Sequence, residues 1–164
     1  MKYSTVMGVD IANLTLNEAV GEIALMCASN KLGNRIYTPN SDFLVNASKD
    51  SSFYRILSRA ELLLADGMPL VWASKLFGSP LKEKISGSSL FMKVCEWAWH
   101  EKKSIYLLGA GPGVSNLAKT RMESKYPGLN ICGTYSPPFG FESSEAENIK
   151  IIEEISRTAP SILI

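Results

Sequence analysis

Short apolar runs alternate with segments whose apolar residues recur at helical spacing, and the alternation holds along the whole chain. Val6 to Val9 is an apolar run that suits a first strand. Thr15-Leu-Asn-Glu18 then matches a capping box ahead of Ala19, Ile23 and Met26, which sit one helical turn apart. Arg35 to Asn40 reads as a strand that stops at Pro39, and any of Asn40, Ser41 and Asp42 can cap the segment from Phe43 to Ala47. Residues 51–59 read as a helix, and Leu62 to Ala65 is the fully apolar stretch expected of a buried parallel strand.

Met68 to Phe77 has helical composition, with Pro69 in the first turn, where its missing N–H does no harm; Gly78 and Pro80 end it. The longest helix is expected from Ser86 to Lys103. Ser104 to Leu108 forms a strand that runs straight into Gly109-Ala-Gly-Pro-Gly113. A helix from Val114 to about residue 126, a strand from Leu129 to Thr134, a loop over 136–140, a helix from Ser143 to Arg157 and a strand opening at Ser161 complete the reading. Strand and helix take turns, so the expected class is α/β: one Rossmann-like domain over residues 1–164, a largely parallel sheet with helices on both faces. A last parallel strand with no helix after it leaves one face uncovered, which predicts a C-terminally truncated chain.

Composition narrows the partners. Of 164 residues, 46% are hydrophobic and 20% charged, the balance of a chain that folds in water. The formal charge is +1 and the Lys and Arg residues are dispersed, so the basic field that nucleic-acid binding relies on is missing. Cys27, Cys95 and Cys132 are odd in number and far apart, which reads as reduced thiols in the cytoplasm. No apolar run reaches the 18 residues of a spanning helix, and peripheral membrane contact carries no strong signal in these residues.

In open α/β sheets, ligands bind beyond the carboxyl ends of the strands, and three places there carry candidate chemistry. Gly109, Gly111 and Gly113 lie between a strand and a helix, where bare backbone N–H groups can cradle a diphosphate; a ligand-free tight turn is the alternative. Asp66 is a carboxylate at a strand end, either a general base or an N-cap. Thr38 and Asn40 offer a hydroxyl and an amide for a sugar, or simply terminate the strand. His100 reads as exposed at a helix end, and Trp97, Trp99 and Phe91 as packing residues. No His, Cys or carboxylate cluster has metal-ligand spacing, so no metal and no cofactor is expected.

Four stretches in this order, Tyr37-Thr-Pro-Asn-Ser-Asp42, Ala65-Asp-Gly-Met-Pro-Leu-Val-Trp72, Ile85-Ser-Gly-Ser-Ser-Leu90 and Leu108-Gly-Ala-Gly-Pro-Gly-Val114, resemble the WecG/TagA/CpsF glycosyltransferase family, with the TagA branch of wall teichoic acid synthesis the nearest in appearance. The resemblance implies transfer of N-acetylmannosamine from a UDP-sugar donor to the 4-hydroxyl of GlcNAc on undecaprenyl diphosphate. It implies inversion and no metal ion. Asp66 falls on the family's acidic position, and Thr38 and Asn40 on its sugar-side polar positions. The chain departs from the family pattern at Lys84, where Arg is usual, and at Ser89, where Asp is frequent. Lys84 keeps a charge for phosphate but not the bidentate fork.

The family's G-x-P-K-Q-E segment and basic C-terminal region are absent from these residues, and the expected peripheral contact with the inner face of the cell membrane is placed in that missing region. Two other readings compete. One is a non-catalytic nucleotide-binding module or a transferase of another UDP-sugar; the other is an oligomerisation domain that forms a homo-oligomer.

Overall fold

The computed structural model describes residues 2–29 and 31–164. The chain divides into two compact units, residues 1–93 and 94–164, and the division falls inside a helix. Each unit has its own parallel strands and its own buried apolar residues.

The first unit opens with an antiparallel hairpin, β1 (Tyr3–Val6) and β2 (Val9–Ala12). The apolar run from Val6 to Val9 is therefore a reversal, in contrast to the single strand expected there. Met7 and Gly8 both take positive φ, which suits a two-residue hairpin, and Val6 pairs with Val9 across the turn. Alternation on either side explains why: Ser4, Val6, Val9 and Ile11 are buried, while Tyr3, Thr5 and Asp10 face out.

Helix α1 (Leu16–Ala28) starts with the predicted capping box. Thr15 Oγ1 accepts from the Glu18 N–H, and the Glu18 carboxylate accepts from the Thr15 N–H. Strand β3 (Ile36–Tyr37) runs parallel to β4 (Leu62–Leu63), and between them lie helices α2 (Ser41–Lys49) and α3 (Ser51–Ser58).

The reason β4 is apolar throughout is that both its faces are covered. Leu63 and Ala65 pack with Val9, Ile11, Leu44, Leu57, Leu70 and Val71. Leu62 and Leu64 point the other way, into Ala12, Leu14, Ala19 and Ile85. Burial of each such leucine is worth about 1.5–3 kcal/mol, so two residues per face anchor the strand firmly. Helix α4 (Met68–Leu76) follows β4, and the first turns of α5 (Gly87–His100) close this unit.

The second unit holds a parallel three-stranded sheet in the order β6 (Asn130–Tyr135), β5 (Ser104–Leu108), β7 (Ile162–Leu163). Helices α6 (Val114–Lys125) and α7 (Glu145–Thr158) connect its strands. Ile105, Tyr106 and Leu107 in the middle strand are buried in succession, which matches a strand flanked on both faces. The class is mixed α/β with parallel pairing, as expected, but the hydrogen-bonded strands of the described residues fall into three small sheets.

Candidate functional site

The β3–β4 ladder does not stop where regular strand geometry does. Leu64 N–H donates to the Tyr37 carbonyl at 2.9 Å, and Asp66 N–H to the Pro39 carbonyl at 2.9 Å. On the far side of β4, Ile85 N–H donates to the Ala65 carbonyl at 2.7 Å. Three chain segments therefore run side by side past the strand ends, and this brings together Thr38, Asp66 and the Ser86-Gly87 step, which are 20 to 49 residues apart in the chain. Pro39 is fully buried between them and fixes the exit of β3.

Asp66 does not cap the helix that follows it. The N-cap of α4 is Gly67, with no side-chain capping bond and a φ of 127°. The Asp66 carboxylate turns instead to the start of α5, where its Oδ2 accepts from the Gly87 N–H at 3.3 Å. Its Oδ1 has no donor among the described residues, and the side chain is half-buried, so one oxygen is anchored while the other stays accessible. That is the arrangement a general base needs: fixed direction and a free lone pair.

Thr38 Oγ1 lies against the same glycine. A Cβ at Gly87 would come within 3.3 Å of that hydroxyl, and the hydroxyl has no hydrogen-bond partner among the described residues. Asn40 divides its amide. Its Oδ1 accepts from the N–H groups of Asp42 and Phe43 at 3.0 and 3.1 Å as the N-cap of α2, which leaves Nδ2 uncommitted. The capping alternative thus holds for Asn40, through one of its two polar atoms.

Ser86 caps α5: its Oγ accepts from the Ser89 N–H at 3.2 Å and contacts the hydroxyls of Ser88 and Ser89 at 3.1 and 2.8 Å. Lys84 is exposed and has no carboxylate partner among the described residues, so its ammonium is not tied down.

The glycine loop belongs to the second unit. Gly109 N–H donates to the Tyr135 carbonyl at 2.8 Å and Val114 N–H to the Gly111 carbonyl at 3.1 Å, while the N–H groups of Ala110, Gly111 and Gly113 have no acceptor among the described residues. Gly109, Ala110 and Gly113 all take positive φ, so the bare donors result from a backbone path that side chains resist. Gly113 is the N-cap of α6 and supplies no side chain to cover its first turn. Unpaired donors at a helix start suit an anion.

Sequence reasoning missed what holds the loop. Ser136 Oγ donates to the Gly109 carbonyl at 3.1 Å and contacts Ser115 Oγ at 3.0 Å, so Ser136 past the neighbouring strand braces the turn and is itself held by Ser115 of α6. The available signal was position: Ser136 is the first residue after β6. Beside it, Tyr135 donates its hydroxyl to Glu147 at 2.6 Å and accepts from Lys150 at 2.7 Å, and that bond raises the Lys150 ammonium above its ordinary value. Trp99 packs on Tyr126 with ring centroids 5.6 Å apart and donates to the Pro127 carbonyl, and exposed His100 lies against it; both are as expected from the sequence. Among the described residues no three His, Cys, Asp or Glu side chains cluster to hold a metal ion, and no helix is long and apolar enough to cross a membrane.

A mixed α/β chain with an anchored carboxylate past one strand and an open glycine turn past another fits the glycosyltransferases. It belongs to the Glycosyl transferase WecG/TagA/CpsF family, which it matches over residues 4–164. Among curated relatives, it is 26% identical over 163 residues to the N-acetylglucosaminyldiphosphoundecaprenol N-acetyl-beta-D-mannosaminyltransferases of Bacillus subtilis (strain 168) and Bacillus spizizenii. The match takes in 99% of this chain and 61% of each relative. An enzyme of the same name from Staphylococcus aureus (strain MRSA252) is 27% identical over 127 residues, covering 77% of this chain and 50% of the relative. The chain therefore spans about three fifths of the length of the Bacillus proteins it matches.

Proposed function

We propose that this chain is the core of an inverting glycosyltransferase that moves N-acetylmannosamine from UDP-N-acetylmannosamine to the 4-hydroxyl of GlcNAc-diphospho-undecaprenol. The observation that carries the reading is the carboxylate of Asp66, fixed through one oxygen by the Gly87 N–H and open at the other, beside an uncommitted Thr38 hydroxyl. In the reaction the acceptor O–H bond breaks as its oxygen attacks the anomeric carbon. Asp66 takes the proton, the new C–O bond forms on the face opposite the departing diphosphate, and UDP leaves.

Thr38 Oγ1 and Asn40 Nδ2 are the sugar-side partners in this scheme. The open N–H groups of Ala110, Gly111 and Gly113 suit a diphosphate, and Lys84 by itself offers a cation for phosphate. The reaction proceeds without a metal ion, so EDTA leaves turnover intact. The protein works in the cytoplasm at the inner face of the membrane, where the acceptor is anchored, and the remaining length of the family supplies a further membrane contact.

Replacement of Asp66 by Asn tests the proposal in the full-length enzyme, because it keeps the acceptor for the Gly87 N–H but removes the base. A positioned general base contributes about 10²- to 10⁴-fold. The expected result is a fall in kcat of that order with an unchanged melting temperature and unchanged UDP affinity. Near-normal turnover, or loss only through unfolding, would make Asp66 a structural residue.

A further inference from the structure

Helix α4 has two apolar faces and the core uses one. Leu70, Val71 and Ser74 are buried, while Met68, Trp72 and Leu76 stand outward at 43, 61 and 83% exposure, followed by Phe77 at 67%. Residues 68, 72 and 76 are successive i,i+4 neighbours, so they form one stripe about 12 Å long at about 1.5 Å per residue. The stripe starts two residues after Asp66.

Charge along this segment is one-sided. From Gly67 to Lys82 there is no Asp or Glu, and the charged residues are Lys75 and Lys82. Lys82 pairs with Glu18 at 2.7 Å. Lys75 and Lys84 are exposed and have no carboxylate partner among the described residues.

We propose that this face of α4 docks on an anionic lipid bilayer, with Trp72 at headgroup depth and Met68, Leu76 and Phe77 in the acyl boundary. Lys75 and Lys84 face the lipid phosphates. Three features favour a bilayer over a second copy of the chain. Four side chains along one helix fall well short of the roughly 800 Å² per partner of a stable protein interface. The two unpaired lysines complement an anionic surface, and the one acid between them in the chain, Glu83, is half-buried and accepts from the Leu16 N–H. An exposed indole beside aliphatic residues is the composition of an interfacial helix face.

The inference rests on the lipid-linked acceptor proposed above: a sugar one diphosphate away from the membrane must be met by a base held within the headgroup layer, and α4 starts beside that base. It places a membrane contact within these residues, in addition to the one expected from the rest of the family's length.

The test is sedimentation of the 164-residue protein with vesicles of phosphatidylglycerol and phosphatidylcholine, and with phosphatidylcholine alone, together with quenching of tryptophan fluorescence by brominated lipid. The wild type should bind the anionic vesicles, more weakly as salt rises. The double variant Trp72→Gln/Leu76→Gln should bind at least about tenfold more weakly and lose the quenching, and Lys75→Gln about fivefold more weakly, the effect of one near-surface charge. All three side chains are exposed, so the melting temperature should hold.

Vesicle binding by the double variant equal to wild type, or no binding by the wild type, overturns the proposal. So does a wild-type oligomer that the double variant dissociates without any change in vesicle binding, since the stripe would then belong to a second copy. UDP affinity, measured by calorimetry on the same proteins, should be unaffected by the stripe; its absence in the wild type would count against the transferase reading and leave the vesicle result standing.

Discussion

Gly87 shows how little room the proposed chemistry leaves. Its N–H orients Asp66, and its missing side chain is what admits the Thr38 hydroxyl, because a Cβ would stand 3.3 Å from that oxygen. Gly87→Ala should therefore shift Thr38 by a few tenths of an ångström while leaving the helix start intact. Since small misplacements at a reacting centre are costly, the expected result is a fall of about tenfold or more in kcat/KM with the melting temperature within a few degrees of wild type. Unchanged kinetics would show that Thr38 is not held for the reaction.

The glycine loop allows a sharper contrast. Gly111 has ordinary φ, and a Cβ there meets only Val114 Cγ2 at 3.9 Å, so Gly111→Val should keep the fold and weaken UDP binding. Gly113→Val would impose φ near 80° on a branched side chain and should cost stability first. Calorimetry and thermal melts of the pair separate the two effects; equal UDP affinity in Gly111→Val and wild type would place the diphosphate elsewhere. At this scale the sequence was informative about which residues stand at strand ends, but silent about their partners. Asn40 read as a cap, a strand terminator or a sugar-side group, and only the packed chain shows that its Oδ1 caps α2 while Nδ2 is uncommitted among the described residues.

The regular elements were legible because each carries its own local signal. The Thr15 box, the Asn40 cap and the break at Gly78 lie within a few residues of what they control. The hairpin was not legible as such, since four apolar letters in a row do not reveal that Met7 and Gly8 reverse the chain. Nor was the pairing inside the second sheet. Tyr106 lies opposite Gly133 in adjacent parallel strands next to an irregularity in register, and its buried ring fills the space where a side chain would be. A Cβ on Gly133 would fall 2.7 Å from Tyr106 Cδ2 and nearer still to Cε2.

Gly133→Ala should therefore destabilise this unit by about 1–3 kcal/mol, the usual cost of overpacking. A drop of several degrees in melting temperature is expected, partly restored when Tyr106→Leu is added. Identical melts for Gly133→Ala and wild type would mean that the ring moves aside freely.

Across the molecule, acid sensitivity follows from two surface carboxylates. The Lys82 ammonium, with help from the Thr15 N–H, holds the Glu18 carboxyl down to about 2 from its ordinary 4.5. The Lys31 ammonium, followed by the Arg35 N–H, does the same for Glu61. A carboxyl with its folded value depressed stabilises the fold above its unfolded value and loses that contribution as pH falls through the folded one. Urea midpoints should be flat above about pH 4.5 and decline toward about pH 2. Glu18→Gln should lower the plateau and shallow the decline, and high salt should reduce both effects. A midpoint that ignores pH over this window would leave these pairs without a role.

By itself the sequence determined the α/β class, nearly every helix and strand, and the short list Thr38, Asn40, Asp66, Gly109, Gly111 and Gly113 as groups near strand ends, while four ordered motifs pointed to the family and, through it, to Lys84. The elements and the strand-end list follow from period, caps and turn residues, all local in the chain. Tertiary structure alone decided the division into two units, the turn of the Asp66 carboxylate toward Gly87, the bracing of Gly109 by Ser136, and the fact that the apolar residues of α4 face two ways. The physical reason is common to all four. Hydrogen bonding across parallel strands and burial against distant segments depend on which pieces of chain meet, and an apolar letter such as Trp72 reads the same whether the core covers it or leaves it outside.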